Sequence, residues 1–149
     1  MSIQSTLEIP GIAEAQRVWL QQLNGLIQTV QGWATEMGWS TRRIEKSMKD
    51  SEVGRYVAPA LIMQEETARI MLEPIARSVP DAEGIVDLYL MPAYDDIARL
   101  YLSDGEWLLN FAWSGTPHGD SNLDTESKPL TKEILQQVLQ EMKSNAAHD

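Results

Sequence analysis

Carboxylates are the side chains of this sequence whose placement is most suggestive of chemistry. Asp87 stands inside an apolar run from Gly84 to Leu90, Asp96 directly precedes a second run, and Glu106 opens a third. Acidic residues on neighbouring strands can converge on a divalent cation, because such cations prefer hard oxygen ligands. The three acids are therefore candidates for a metal-dependent hydrolytic site.

A helical element, three strands carrying acids and a final helix resemble, in topology, the metal-dependent nucleases of the restriction-endonuclease type. That resemblance implies a lysine two residues after the acid of the third strand. Here Glu106 is followed by Trp107 and Leu108 instead. We therefore predict that these carboxylates do not form a catalytic site.

Most of the acids also have an ordinary structural explanation. Asp95, Asp96 and Asp104 occur where turns are expected, and Asp is a common turn residue. Asp87 is different, because it lies within the run Ile-Val-Asp-Leu-Tyr-Leu. We expect its carboxylate either to face solvent or to have a partner.

Other catalytic arrangements have weaker support. His118 could join Asp120 in a metal or acid–base site, or serve Ser114 or Ser121 as a base, but no Gly-x-Ser-x-Gly elbow is present. The phosphate-binding and dinucleotide-binding glycine motifs are also missing from the sequence. We expect no cofactor and no metal, and we expect His118 to be an exposed loop residue.

Basic residues cluster between positions 40 and 55, within a chain of formal net charge −10. Arg42, Arg43, Lys46 and Lys49 recur at helical spacing, so we predict a short helix over 40–50 with one charged face. That face is either simply solvated or a binding surface for an acidic partner. Trp39 and Trp113 stand at the ends of predicted elements, where aromatic residues often anchor interfaces. These six residues are the predicted binding residues.

The longest apolar stripe lies near the N-terminus and predicts a helix over 11–37. Its members are spaced three or four residues apart: Trp19, Leu23, Leu26, Val30, Trp33 and Met37. Pro10-Gly11 and Gly38 mark its expected ends, and Asn24-Gly25 leaves open a break into two shorter helices. We expect one helix, since the stripe keeps its phase.

The middle of the chain changes to a period of two and predicts an antiparallel meander over 56–113. Asp104-Gly105 between two apolar runs is a strong hairpin signal. Residues 56–77 fit either a helix or a hairpin turning at 65–67, and we favour the hairpin. A loop over 114–129 and an amphipathic helix over 130–143 complete the prediction.

Composition narrows the class of protein. A length of 149 residues, of which 43% are hydrophobic, suits a single domain with its own core. The sequence has no cysteine, which excludes disulfides and thiolate metal sites. The acidic balance disfavours nucleic acid, and neither a signal segment nor a membrane span is predicted, so we expect a cytoplasmic protein.

Together these features predict an α+β fold with a long first helix, a short second helix, three to five antiparallel strands and a C-terminal helix packed on one face. The expected function is that of a non-enzymatic protein-interaction module, such as an adaptor, a small chaperone-like factor or an immunity-type factor. The partner is unknown. We also expect a homo-oligomer, since a helix of about 40 Å would overhang a sheet of ordinary strands and expose its stripe.

Overall fold

A computed structural model describes residues 3–111 and 127–147, with side chains for residues 11–111 and 127–146. The elements follow one another as α1 (Ile3–Glu36), β1 (Ser40–Asp50), β2 (Gly54–Glu65), β3 (Ala68–Val79), β4 (Ala82–Leu90), β5 (Asp95–Ser103), β6 (Glu106–Asn110), β7 (Lys128–Pro129) and α2 (Lys132–Ala147). All seven strands form one antiparallel sheet in chain order. The α+β class is confirmed, and the sheet has more strands than the three to five predicted.

The first helix is continuous and longer than predicted. It begins at Ile3 and runs through Pro10-Gly11, the predicted start. Asn24-Gly25 does not break it, because Leu23, Leu26 and Ile27 on both sides of this dipeptide are buried in the core, and the Asn24 side-chain amide donates to the Leu20 carbonyl oxygen one turn earlier (2.8 Å). At 34 residues the helix is about 50 Å long.

The C-terminal end of α1 lies where the sequence predicts it. Gly38 has a φ of +94°, its N–H donates to the Thr35 carbonyl, and the Trp39 N–H donates to the Ala34 carbonyl at 2.9 Å. This pair of bonds is a Schellman cap, which needs a residue without a Cβ at the left-handed position. The chain then turns directly into the sheet.

The predicted short helix over 40–50 is wrong: this segment is β1, the edge strand. Every residue from Ser40 to Asp50 has a partner in β2, from Gln64 back to Gly54. Charges spaced three and four residues apart fit one helix face, but isolated short helices gain little from charge spacing alone. Pairing with the apolar strand β2 gives the segment a complete hydrogen-bonded ladder on one side, which decides the conformation.

The segment 56–77 forms a hairpin, which is the alternative that the sequence favoured over a helix. Strands β2 and β3 turn at Glu65–Ala68, where Glu66 adopts a φ of +55°. Strands β4, β5 and β6 contain the three runs predicted as strands, and the predicted hairpin at 103–106 joins β5 to β6. The predicted loop over 114–129 lies mostly outside the described residues.

The sheet divides at the two strand prolines. The β2–β3 ladder ends at the pair Leu61 and Leu72, and two further steps would place Pro59 opposite Pro74. Neither proline has an N–H to donate, so the ladder cannot continue there. The Lys46 ammonium instead donates to the Pro74 carbonyl oxygen across the opening (2.7 Å).

Helix α1 packs across this division on one side of the sheet. The Trp19 indole N–H donates to the Tyr56 hydroxyl of β2 at 2.9 Å, while its ring lies against Gly84 of β4. A Cβ built on Gly84 would be 2.2 Å from the indole ring, so only glycine permits this approach. The helix thus holds both hairpins to one core.

One hydrophobic core lies between the sheet and the two helices. Residues from α1, from alternate positions of the strands, and from α2 contribute to it. The α2 residues in this core are Leu135, Val138, Leu139 and Met142. Within the described part of the chain, neither helix combines the length and apolar character needed to cross a membrane.

Candidate functional site

The sheet has a second face that points away from both helices. Along β3 to β6 every other residue enters the core, for example Leu72, Leu88 and Leu100. The residues between them point to the opposite side, because side chains alternate along a strand and direct cross-strand neighbours share a face. We call this opposite side the open face.

The open face is defined by residues of six strands. They are Arg42, Ile44 and Lys46 of β1, Ala60, Ile62 and Gln64 of β2, Arg69, Met71 and Glu73 of β3, Ile85, Asp87 and Tyr89 of β4, Ile97, Arg99 and Tyr101 of β5, and Glu106, Leu108 and Asn110 of β6.

Asp87 is the centre of the open face and is completely buried, with 0% of its surface exposed. Its cross-strand neighbour Arg99 binds it with two hydrogen bonds, from Nε to Oδ1 (2.7 Å) and from one terminal nitrogen to Oδ2 (2.9 Å). The Tyr94 hydroxyl also donates to Oδ2. The carboxylate therefore has a partner, which is one of the two situations expected from the sequence.

A second ion pair lies beside the first. The Lys46 ammonium is 2.8 Å from Glu73 Oε2, and the Tyr89 hydroxyl donates to Glu73 Oε1 at 2.7 Å. The rings of Tyr89 and Tyr94 meet edge to face, with centroids 4.6 Å apart. The two tyrosines thereby join both ion pairs into one network spanning β1 to β5.

The network favours the protonated forms of Arg99, Tyr89 and Tyr94. The pKa of Arg99 is raised, chiefly by its hydrogen bonds to Asp87. Burial, followed by the hydrogen bond to Glu73, raises the pKa of Tyr89, and the hydrogen bond to Asp87 raises that of Tyr94. These phenols are hydrogen-bond donors near neutral pH, and neither is poised to act as a base.

The three carboxylates considered for a metal site do not converge. Asp87 is on the open face, with both oxygens engaged by Arg99 and Tyr94. Asp96 accepts a hydrogen bond from Asn145 of α2, on the helix side. Glu106 pairs with Ser103, seven residues along β5 from Asp96, or roughly 23 Å at ~3.3 Å per residue.

No group of three or more His, Asp or Glu side chains in residues 3–111 and 127–147 could hold a metal ion. His118, Asp120, Ser114 and Ser121 lie outside the described residues.

The six predicted binding residues are dispersed. Arg42 and Lys46 lie on the open face, whereas the Arg43 guanidinium bonds the Asn24 side chain of α1 (2.5 Å). Lys49 lies at the far end of β1, paired with Arg55. Trp39 is buried in the core at 5% exposure, so its indole is not a surface anchor here, and Trp113 lies outside the described residues.

The open face differs in charge from the rest of the chain. Among its described residues, four are cationic (Arg42, Lys46, Arg69 and Arg99) and three are anionic (Glu73, Asp87 and Glu106), which gives a formal charge of +1 in a chain of −10. The ion pairs account for Lys46 and Arg99. Within the described part of the chain, Arg42 and Arg69 have no ion-pair partner and are exposed.

Sequence reasoning missed Arg99, Glu73 and both tyrosines of the network. The turn predicted at 91–96 places Arg99 on the strand next to Asp87, but the β4–β5 register shifts between Leu88 and Leu90, so the pair could not be counted out from the turn. The β3–β4 register shifts in the same way between Pro74 and Ala76, which hides Glu73.

Comparisons of the chain with protein-family models, with curated proteins and with solved structures found no match. The function must therefore be argued from the open face itself.

Proposed function

We propose that this protein is a non-enzymatic protein-interaction module, and that the open face of its sheet is the binding surface. The observation that carries the proposal is the asymmetry of the sheet. Both described helices cover one face, while the other presents partly exposed apolar and aromatic side chains around a satisfied ion-pair network. Sheets are most stable when a second layer covers their apolar face.

Several open-face residues are suited to contact a partner. Ile97 is 38% exposed and Tyr94, which arches over the face from the β4–β5 turn, is 43% exposed. Tyr101 and Leu108 are direct cross-strand neighbours on the same face and are half-buried. Aromatic residues with a polar end are enriched in interfaces, where they add apolar area and a hydrogen bond.

The network suits recognition better than catalysis. Its carboxylates are neutralised by Lys46 and Arg99, and its phenols have raised pKa values, so it lacks a free base or nucleophile near neutral pH. It does fix the positions of long polar side chains, which lowers the entropy lost on binding. A cytoplasmic location is part of this proposal, since the cysteine-free sequence suits a reducing compartment.

Affinity capture from the native cell tests the proposal. We expect a protein that is retained by the parent chain but lost with the open-face variant Tyr101→Ser/Leu108→Ser. The matched control is Val57→Ser, which removes an apolar group that is 52% exposed away from this face. A captured set that is identical for all three proteins would refute the proposal.

The alternative, a metal-dependent hydrolase using Asp87, Asp96 and Glu106, makes an opposite prediction. A cation that binds only the folded protein, present at a concentration 100 times its dissociation constant, should stabilise the fold by about 2.7 kcal/mol. We expect Mg²⁺ and Mn²⁺ to leave the melting temperature unchanged and nuclease activity to stay at background. Metal-dependent cleavage that disappears in a stably folded Asp87→Ala variant would favour the hydrolase.

Self-association through α1 is a second proposal, now restricted to one end of the helix. From Trp19 to Ala34 the apolar stripe is buried against the chain's own core, so it needs no second copy. Among the described side chains of α1, Ile12 and Val18 are large, apolar and exposed, and a dimer could still bury them. Sedimentation of the parent and of Ile12→Glu/Val18→Glu tests this: we expect twice the 16.8 kDa chain mass for the parent, and a monomeric parent would refute it.

A further inference from the structure

Two exposed arginines distinguish one end of the open face. Arg42 of β1 lies opposite Ile62, and Arg69 of β3 lies opposite Gln64, so both flank the same part of β2. The face is net cationic while the whole chain is strongly anionic. A surface that departs in sign from its surroundings favours partners of the opposite sign and repels others.

The cationic face also argues against a symmetric dimer through this surface. A two-fold interface pairs the face with a copy of the same net positive charge, so the interface as a whole would keep an excess of cations. A second copy of the chain is therefore a poor occupant for the open face. An acidic segment of a different protein has complementary charge.

The geometry of the face favours a helical segment over an extended one. A strand laid on the face of a sheet would find no backbone edge to pair with, and its own N–H and C=O groups would stay unpaired. A helix satisfies its backbone internally. From Arg42 on β1 to Leu108 on β6 the face is five strand spacings wide, or about 24 Å, and a helix of ~16 residues laid across the strands has that length.

From these observations, and resting on the proposed function, we infer that the open face binds an acidic amphipathic helix of a partner protein. Acidic side chains of the helix meet Arg42 and Arg69, and its apolar side chains pack on the part of the face around Tyr101 and Leu108. The face is only about 24 Å wide across six strands, so the complex belongs with small, transient interfaces.

Selection from a displayed library of random 16-residue peptides tests this inference. The library is selected on the full chain at low ionic strength, and dissociation constants of the enriched peptides are then measured. We expect sequences with net negative charge and apolar residues at helical spacing. Their affinity should fall at least tenfold on Arg42→Glu/Arg69→Glu and should also weaken as salt is raised, since exposed charges are screened.

The matched control is Arg17→Glu/Lys132→Glu, which makes the same change in net charge on exposed residues of the helix layer. This control variant should bind the peptides with dissociation constants within twofold of those of the parent. Arg42→Gln/Arg69→Gln removes the charges without reversing them and should give an intermediate loss of peptide affinity. This graded effect would show that the loss in the glutamate variant does not come from a folding defect. Enriched peptides that lack net negative charge, or that are indifferent to Arg42 and Arg69, would overturn the inference.

A third variant separates failure of the inference from failure of the proposed function. If the peptides lose affinity on Tyr101→Ser/Leu108→Ser but not on the arginine variants, the open face is a binding surface and the acidic-helix inference is wrong. If neither set of variants changes the affinity for the peptides, both the proposed function and the acidic-helix inference are wrong. Binding of a 20-nucleotide single-stranded DNA as tightly as the best peptide would also overturn the inference, because it would assign the arginines to phosphate recognition.

Discussion

The contact between Gly84 and Trp19 gives the sharpest test of how α1 is held on the sheet. We predict that Gly84→Ala destabilises the protein, although alanine normally suits a strand better than glycine. The added Cβ would lie 2.2 and 2.4 Å from two carbons of the Trp19 ring. The ring must then move by more than 1 Å, since ordinary carbon contacts are ~3.5–4.0 Å.

The magnitude follows from three contributions. Overpacking of a filled core costs roughly 1–3 kcal/mol. Displacing the indole also weakens its buried hydrogen bond to Tyr56, at a cost of about 1 kcal/mol. Replacing glycine in a strand returns roughly 0.5–1 kcal/mol. We therefore expect a net loss of about 2 kcal/mol.

Thermal and urea denaturation, followed by circular dichroism, measure this loss. For a chain of this size, about 2 kcal/mol corresponds to a melting temperature lower by roughly 4–8 °C. Gly25→Ala is the matched control, because a Cβ there meets nothing within 4 Å on an exposed helix position. It should raise stability by roughly 0.5–1 kcal/mol, so the same substitution has opposite signs at the two sites.

A double-mutant cycle shows whether the indole is the cause. In a Trp19→Leu background the large ring is gone, and Gly84→Ala should then cost little or be stabilising. We expect a coupling free energy of at least about 1.5 kcal/mol, as is typical of residues in direct contact. A Gly84→Ala protein that melts at or above the parent temperature would refute the proposed docking of α1.

Three further predictions concern the sheet and its open face. Gly105→Val should destabilise the β5–β6 hairpin by about 1–3 kcal/mol in urea denaturation, because Gly105 has a φ of +76° that a β-branched residue resists; an unchanged midpoint would contradict this. Asp87→Ala should cost about 2 kcal/mol, less than the 3–5 kcal/mol of a fully buried pair, since the Arg99 side chain is 39% exposed and can be rehydrated. Arg69→Ala, its control, should be neutral. Tyr89 and Tyr94 have raised pKa values, so the folded state holds these protons more tightly than the unfolded state. Their contribution to stability is complete below about pH 10 and is lost as pH rises through the folded pKa values. Ultraviolet titration should find phenolate forming at lower pH in guanidinium than in the native protein, and coincident curves would count against the network.

Local signals were sufficient for much of the fold. The apolar stripe predicts the part of α1 that packs on the sheet, and Gly38 predicts its end because only a left-handed residue allows the Schellman cap. Asp104-Gly105 predicts the β5–β6 turn, where both residues adopt positive φ. These features depend on a few neighbouring residues, which is why they can be recognised without a structure.

The candidate site was predictable only in part. Asp87 was recognised as unusual because a charged residue inside an apolar strand must have either water or a partner. The partners themselves depend on register, and Tyr94 reaches Asp87 from a turn at a positive φ of 57°. No local sequence pattern predicts that Tyr94 contacts Asp87.

Local periodicity and turn chemistry were enough to predict the α+β class, the central strands with their tight turns, and an unusual acid at position 87 inside an apolar run. The tertiary structure decided that residues 40–50 form an edge strand instead of a helix, since the apolar partner β2 supplies hydrogen bonds that charge spacing cannot reveal. It also decided where the charges meet. Lys46, Glu73, Asp87 and Arg99 come from four different strands, and only the register of the sheet brings them to one face.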